Sequence, residues 1–414
     1  MNRFSPHKKP GLQLLCRVCQ SENLIDILSL GNQYLSDFVS DDSKPAKYPL
    51  DLIVCEKCFL LQLRHNAPQT SLYSERYGYK SGMNQTMRDE LKQIVEKALK
   101  VLPYIGKKLT VVDIGANDGT LLNYYPKSLF RIGVEPVLKF ADECGKHANI
   151  VIADFFNLTS YKKKVGNRRV DIITAISCFY DMEEPNKFLH DVARILKTNG
   201  VFIIQQNYLM SMLQQNAFDN IVHEHLEYYS LLSLENLLRR HDMEVFDVEF
   251  SDVNGGSFRT YISFNGKRNV RASVRYLRRK EEKINLMNIA NYTAFAKRVE
   301  NNKTKLVLLL KKLKKEKKVT YIYGASTRGN TLLQYFGIDK TFIKAAVERN
   351  PEKWGKKIAS VGIPIISEEQ ARKDRPDYML VLPWFFKKEF IKREQAYLKN
   401  GGHFIFPLPK LTIV

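Results

Sequence analysis

The stretch VVDIGANDGTLL, Val111 to Leu122, constrains this chain more than any other. An apolar run ends at Asp113 as a buried strand would. Gly115 and Gly119 then let the backbone turn sharply and let a ligand approach it. From Leu109 onward the pattern alternates. Leu109–Ile114, Phe130–Val134, Ile150–Ile152, Val170–Ile176 and Gly200–Gln205 read as strands, with helices such as Lys187–Leu196 between them. That alternation predicts a parallel sheet. A helix over Leu232–His241 and late antiparallel strands at Val245–Val248 and Ser257–Phe264 follow. A second α/β unit begins at Val319–Tyr323, turns at Gly324–Gly329, and continues through Lys344–Val347, Ile363–Ile366, Tyr378–Leu382 and His403–Phe406.

The glycines are spaced G-x-x-x-G, not the G-x-G-x-x-G that makes room for pyrophosphate in dinucleotide folds. The surrounding residues are acidic: Asp113 and Asp118, with Asn117 between the glycines. Glu135 stands twenty residues after Gly115, at the end of the next strand. A carboxylate there can accept both ribose hydroxyls. Asp154 and Phe155, in ADFF, follow the third strand, where they can meet an adenine. Acidic groups in this order suit a ligand with a sulfonium cation and no phosphate. Together with a resemblance to class I methyltransferases, they point to S-adenosylmethionine (SAM).

Cys16, Cys19, Cys55 and Cys58 form CxxC…CxxC. In a cytosolic chain this spacing predicts a zinc site rather than disulfides. Four thiolates leave no open position, so the metal would be structural. Cys144 and Cys178 read as core. A helix from about Met83 to Leu102, closed by Pro103, separates this module from the sheet.

FDNIVHEHLEYYS, Phe218 to Ser230, is the second dense motif. HExxH metalloprotease spacing is absent, because the two histidines stand two residues apart. His225 beside Glu224 can act as a base near neutral pH. His223 is its rival, since alternate residues of an extended segment point the same way. Tyr77 and Tyr79, with Tyr73, lie in LYSERYGYKSG, where a loop can cover the site and donate hydroxyls to a sugar or an enolate.

The net charge is +21 over 414 residues, and residues 265–320 hold 18 Lys+Arg against 4 Asp+Glu. Such a segment fits anionic partners or a solvated helical face. The leucine spacing of Leu306–Val319 suits a linker helix with one apolar face. No apolar stretch reaches membrane-spanning length, and no secretory signal is read, so the expected location is cytoplasmic.

The order of these motifs resembles the sugar C-methyltransferases that act on nucleotide-linked 4-keto-deoxysugars. The resemblance rests on the paired CxxC, VDIGANDGTLL, GVEP and FDNI-HEH, then NGGSFRTY (Asn254–Tyr261), YGASTRGNTLLQYFG (Tyr323–Gly337), ERNPEKWGKKI (Glu348–Ile358) and VLPWFFKKEF (Val381–Phe390). It implies an α/β chain of three domains. A zinc-binding domain would span 1–72, a class I SAM-methyltransferase Rossmann-like domain 73–265, and a second Rossmann-like α/β domain 319–414 that helps hold the nucleotide. A basic helical linker, 266–318, would join the last two. The resemblance assigns carbon deprotonation to His225 and Glu224, with help from a tyrosine of the Tyr77–Tyr79 region. It implies a monomer or homodimer.

Three positions depart from the family: Val222 where Tyr is frequent, and Asp181 and Asn254 where His is frequent. Those changes leave an O-methyltransferase acting on a sugar or another small molecule as the alternative. An RNA methyltransferase, suggested by zinc and charge, and a non-catalytic scaffold are further rivals. Arg328, in the turn of the C-terminal unit, can face a diphosphate, which an RNA enzyme does not need.

Overall fold

The computed structural model describes residues 11–74, 77–102 and 109–414, save the side chain of Asn254. Pro103, the expected helix stop, lies outside the described residues.

Thr110–Ile114 is the central strand of the parallel part of a seven-stranded sheet. Its order is Met243–Ser251, Ser257–Phe264, Leu196–Asn207, Val170–Ile176, Thr110–Ile114, Phe130–Val134, Ile150–Ile152. The last five strands run parallel, and Ser257–Phe264 pairs antiparallel on both sides. Val111, Val112 and Ile114 are all buried, as a strand covered on both faces requires. The helix Gln85–Val101 packs Met87, Leu91, Ile94, Val95 and Ala98 inward, and the Asn84 side chain caps it by accepting from Thr86 N, as N-cap residues do.

The zinc-module strands are longer than their punctuation suggests. Leu24–Tyr34 pairs with Lys47–Cys55 through two register irregularities, which accommodate polar residues that break strict alternation. Leu61–Leu63 follows, and the fourth strand of this sheet is Glu227–Tyr228, from far along the chain. The third sheet orders Thr412–Ile413, His403–Phe406, Tyr378–Val381, Thr320–Tyr323, Ala346–Glu348, Ile363–Ser367, Lys357–Ile358 and Phe38–Val39. Its last strand belongs to the zinc module. That module is therefore stitched to the third sheet and to the segment at Glu227–Tyr228.

The basic segment forms two helices, Ala272–Ile284 and Ile289–Lys315. In the second, Tyr292, Phe295, Val299, Asn302, Leu306, Leu310 and Leu313 are buried at helical spacing, the single inward face expected. Buried Glu281 accepts from Leu231 N (2.7 Å), Leu232 N (2.9 Å) and the Tyr208 hydroxyl (2.8 Å). A carboxylate at the start of the helix Leu231–Leu238 offsets its positive end. No helix among the described residues is long and apolar enough to cross a membrane.

Candidate active site

Gly115 (φ +71°), Asn117 (+50°) and Gly119 (+77°) all take left-handed backbone. A Cβ on Gly115 would stand 3.0 Å from Cys178 Sγ, and one on Gly119 2.9 Å from Cys144 Cα. Both positions thus require glycine. The turn is closed against the neighbouring strand by Gly115 N and Ala116 N, which donate to Val134 O.

Glu135 is 5% exposed. Its Oε2 accepts from Asn117 N (2.8 Å) and its Oε1 from Val137 N (2.9 Å). Each oxygen keeps a lone pair for a further donor, and burial raises its pKa. A pair of hydroxyls fits such an acceptor, so the corner suits a ribose.

The other acidic residues of this motif have partners inside the protein. Asp113 lies beneath the turn, accepting from Thr174 Oγ1 at 2.6 Å, with its pKa pushed up to about 7 by burial. Asn117 and Asp118, expected to face the cofactor, also fasten the preceding segment. Asn117 Oδ1 accepts from Ser81 N (2.9 Å), its Nδ2 donates to Tyr79 O (3.0 Å), and Asp118 Oδ2 accepts from Gly82 N (2.9 Å). Asp154 binds its own loop through Phe155 N (2.8 Å) and Ser160 Oγ (2.5 Å). Phe155 stacks edge-on against Tyr73 at 5.7 Å.

Beyond the carboxyl end of Val170–Ile176, Ser177 turns with φ +57° and carries the chain into Cys178–Asp181. Asp181 Oδ2 accepts from the Tyr73 hydroxyl at 2.9 Å. Tyr73 and Tyr77 have ring centroids 5.4 Å apart. Burial above all raises both phenols well above 10, so they remain hydrogen-bond donors. Tyr79 is half exposed at 50% and lies further out.

The histidine segment is a turn, not the extended run expected. His225 N donates to Val222 O at 3.1 Å, so the two imidazoles part company. His223 is buried and its Nε2–H donates to Tyr48 O of the zinc module at 3.0 Å. His225 Nδ1–H donates to Asn220 O at 2.8 Å, and its ring meets Tyr180 edge-on at 4.5 Å. Both pKa values are pushed down to about 4, mainly by burial. Burial also raises Glu224.

This segment is gripped from two sides. Toward the zinc module, Glu227 and Tyr228 pair with Gln62 and Leu61. Toward the C-terminal sheet, Phe218 stacks on Phe336 at 5.0 Å. Buried Asp219 forms an ion pair with Arg328 (2.9 Å) and accepts from Arg328 Nε (3.1 Å) and Trp384 Nε1 (3.0 Å). Arg328, read from sequence as facing a diphosphate, is held in this ion pair. Sequence reasoning missed Asp219, Tyr48 and the strand 227–228. Nothing local marks them, because each is defined by a partner distant in the chain.

Cys16, Cys19, Cys55 and Cys58 bring their sulfurs within 4.8 Å of one another, Cys16–Cys58 and Cys19–Cys55 at 3.4 Å each. Four thiols converging on one point form the donor set of a closed tetrahedral zinc site.

Three family models match: a zinc binding domain at 16–73, a methyltransferase domain at 83–248 and a C-methyltransferase C-terminal domain at 252–409. The C-methyltransferase NovU of Streptomyces niveus is 29% identical over 407 residues, covering 96% of each chain. Solved structures with a similar part include a chain of the complex between the Haloferax volcanii Trm112 methyltransferase activator and a methyltransferase. It is 16% identical, with a TM-score of 0.36, over 44% of this chain and 93% of that one. An S-adenosylmethionine-dependent methyltransferase from Clostridium acetobutylicum is 13% identical, with a TM-score of 0.34, over 43% and 92%. The three matched domains follow one another along nearly the whole chain: it is a SAM-dependent methyltransferase with a zinc-binding domain in front and a C-methyltransferase C-terminal domain behind.

Proposed function

We propose that this enzyme methylates the carbon beside the ketone of a nucleotide-linked 4-keto-deoxysugar, in deoxysugar or surface-polysaccharide biosynthesis. The observation that carries this reading is the His225 imidazole. Its Nδ1–H is committed to Asn220 O, so the neutral ring keeps a bare Nε2. A C–H beside a ketone is a weak acid. Removing its proton needs a base and a donor for the enolate oxygen.

His225 Nε2 takes the proton. Its lowered pKa keeps it neutral, and therefore able to accept, at physiological pH. Glu224 stands beside it and stabilises the imidazolium that forms. Tyr77, held protonated, donates toward the developing oxyanion, while half-exposed Tyr79 lines the rim. His223 is spent on Tyr48 and serves the structure. S-adenosylmethionine supplies the electrophilic methyl group. Gly115 and Gly119 give it room, Glu135 accepts its ribose hydroxyls, and Asp154 and Phe155 border its adenine. Asn117 and Asp118 fasten the segment that covers it, with Asp113 beneath the turn. Cys16, Cys19, Cys55 and Cys58 hold a structural zinc whose sheet includes the strand just after His225.

Mass spectrometry and NMR of the product from SAM and a panel of nucleotide-linked ketosugars test the assignment. The expected product carries one new methyl on carbon. A methyl found on oxygen, or no transfer to any ketosugar, would reject it.

A further inference from the structure

Asp181 closes the turn that follows Val170–Ile176, a strand neighbouring the central one. It thus stands outside the carboxyl ends of a parallel sheet, where open α/β sheets bind their ligands. One of its oxygens is occupied: Oδ2 accepts from the Tyr73 hydroxyl at 2.9 Å. The other, Oδ1, is buried and has no hydrogen-bond partner among the described residues. A buried polar atom without a partner is costly, and its retention calls for a reason. The groups around it include Tyr73, Tyr77, Tyr180, Glu224 and Glu227. These are side chains of the deprotonation site, and no cation among the described residues forms an ion pair with Asp181.

We propose that Asp181 is a catalytic residue of this enzyme, a neutral carboxylic acid whose Oδ1–H donates a hydrogen bond to the ketone oxygen of the acceptor and to the enolate that forms from it. The inference rests on the ketone reading above and adds a second oxyanion donor beside Tyr77. Tyr73 donates to Oδ2, which leaves Oδ1 as the hydroxyl end of the acid. Burial, followed by the charges of Glu224 and Glu227, raises the Asp181 pKa well above the usual carboxylate value. Two buried carboxyls, Asp181 and Glu224, neither in an ion pair among the described residues, cannot both ionise cheaply. A buried acid kept neutral in this way is a strong oxyanion donor, because no water competes with it. The proton stays on Asp181 throughout. It is shared toward the enolate oxygen while His225 holds the proton taken from carbon.

Asp181→Ala and Asp181→Asn separate this role from others. The assays are solvent-deuterium exchange at the carbon beside the ketone and methyl transfer, with a nucleoside-diphosphate-linked 4-keto-6-deoxyhexose as acceptor. SAM affinity and the thermal midpoint report folding. Removing the donor in Asp181→Ala should slow exchange and transfer by about 10²–10³, the scale of one lost oxyanion donor, with SAM affinity unchanged. Asp181→Asn keeps an N–H donor and should recover activity to within about tenfold of wild type. An Asp181→Ala enzyme as fast as wild type would overturn the proposal. So would an Asn variant as slow as Ala, which would mean that the carboxyl accepts rather than donates. A wild-type enzyme that neither exchanges nor methylates the ketosugar would overturn the underlying reading of the acceptor, a distinguishable result.

Discussion

The two parallel sheets build the same corner and fill it in opposite ways. In the first, Gly115 (φ +71°) donates to Val134 O at 2.9 Å, and Glu135 at the end of the neighbouring strand accepts from the turn through Asn117 N. In the second, Gly324 (φ +87°) donates to Val347 O at 2.9 Å, and Glu348 accepts from the turn through Ala325 N at 3.2 Å. There the likeness ends. Lys353 Nζ lies 3.5 Å from Glu348 and donates to Ala325 O at 2.8 Å, so the second corner carries its own cation. No Lys, Arg or His among the described residues forms an ion pair with Glu135. The shared backbone device is a property of the fold. The function depends on whether the carboxylate is left for a ligand or is neutralised by the chain itself.

The largest effect that would sharpen this division comes from the zinc module, which supplies the sheet that the His225 segment joins. Structural zinc contributes about 10 kcal/mol or more in small peptides. Stripping it with a chelator should abolish turnover and lower Tm, while calorimetry still detects SAM on the seven-stranded sheet. Retained turnover in metal-free protein would sever the link between that module and the chemistry. Next, His225→Asn should cost about 10²–10⁴ in methyl transfer with SAM affinity intact, and His223→Asn should cost far less in kcat. Equal losses would show that the two histidines share the role.

A pH experiment probes the same pair through stability. Both histidines have folded pKa values near 4, below the unfolded value of about 6.5. The unfolded state therefore binds more protons in that window. Their contribution to stability is full above about pH 6.5 and is lost as pH falls toward 4. Denaturant titrations of His223→Gln should show a shallower decline over that window than wild type, and an unchanged slope would place the acid sensitivity elsewhere.

Smaller still, Glu135→Ala should weaken SAM binding by roughly 1–3 kcal/mol, the scale of a hydrogen bond to a charged group. Glu348→Ala should leave SAM affinity where it was, and Lys353→Met should shift stability by under about 1 kcal/mol, as partly exposed ion pairs do. SAM affinity that fell in Glu348→Ala and held in Glu135→Ala would reverse the assignment of the two corners.

Much of this was legible in the sequence because it is local. Ile150–Ile152, Val170–Ile176 and His403–Phe406 are observed with their expected bounds, since apolar periodicity and glycine punctuation act over a few residues. The paired CxxC likewise encodes its own convergence. What stayed hidden is set by distant partners. The strand Glu227–Tyr228 exists because Leu61 and Gln62 offer it an edge. The turn at His223–Glu224 parts two imidazoles that a strand would align. The bonds that Asn117 and Asp118 make to Ser81 and Gly82 depend on a segment some 36 residues earlier. Asp181 stood out in sequence only as a departure from a family pattern. Its unpartnered oxygen appears only once Tyr73 is placed on the other.

The central claim is that His225 removes a proton from carbon, and hydrogen exchange measures that step without the methyl transfer. Wild-type enzyme, a nucleotide-linked ketosugar and S-adenosylhomocysteine, which has no methyl to give, would be incubated in deuterated water and followed by NMR. Deuterium should appear at the carbon beside the ketone with wild type and not with His225→Asn, although both proteins bind the two ligands. Exchange undiminished in His225→Asn, or methylation by wild type of an acceptor that exchanges no carbon-bound hydrogen, would contradict the account.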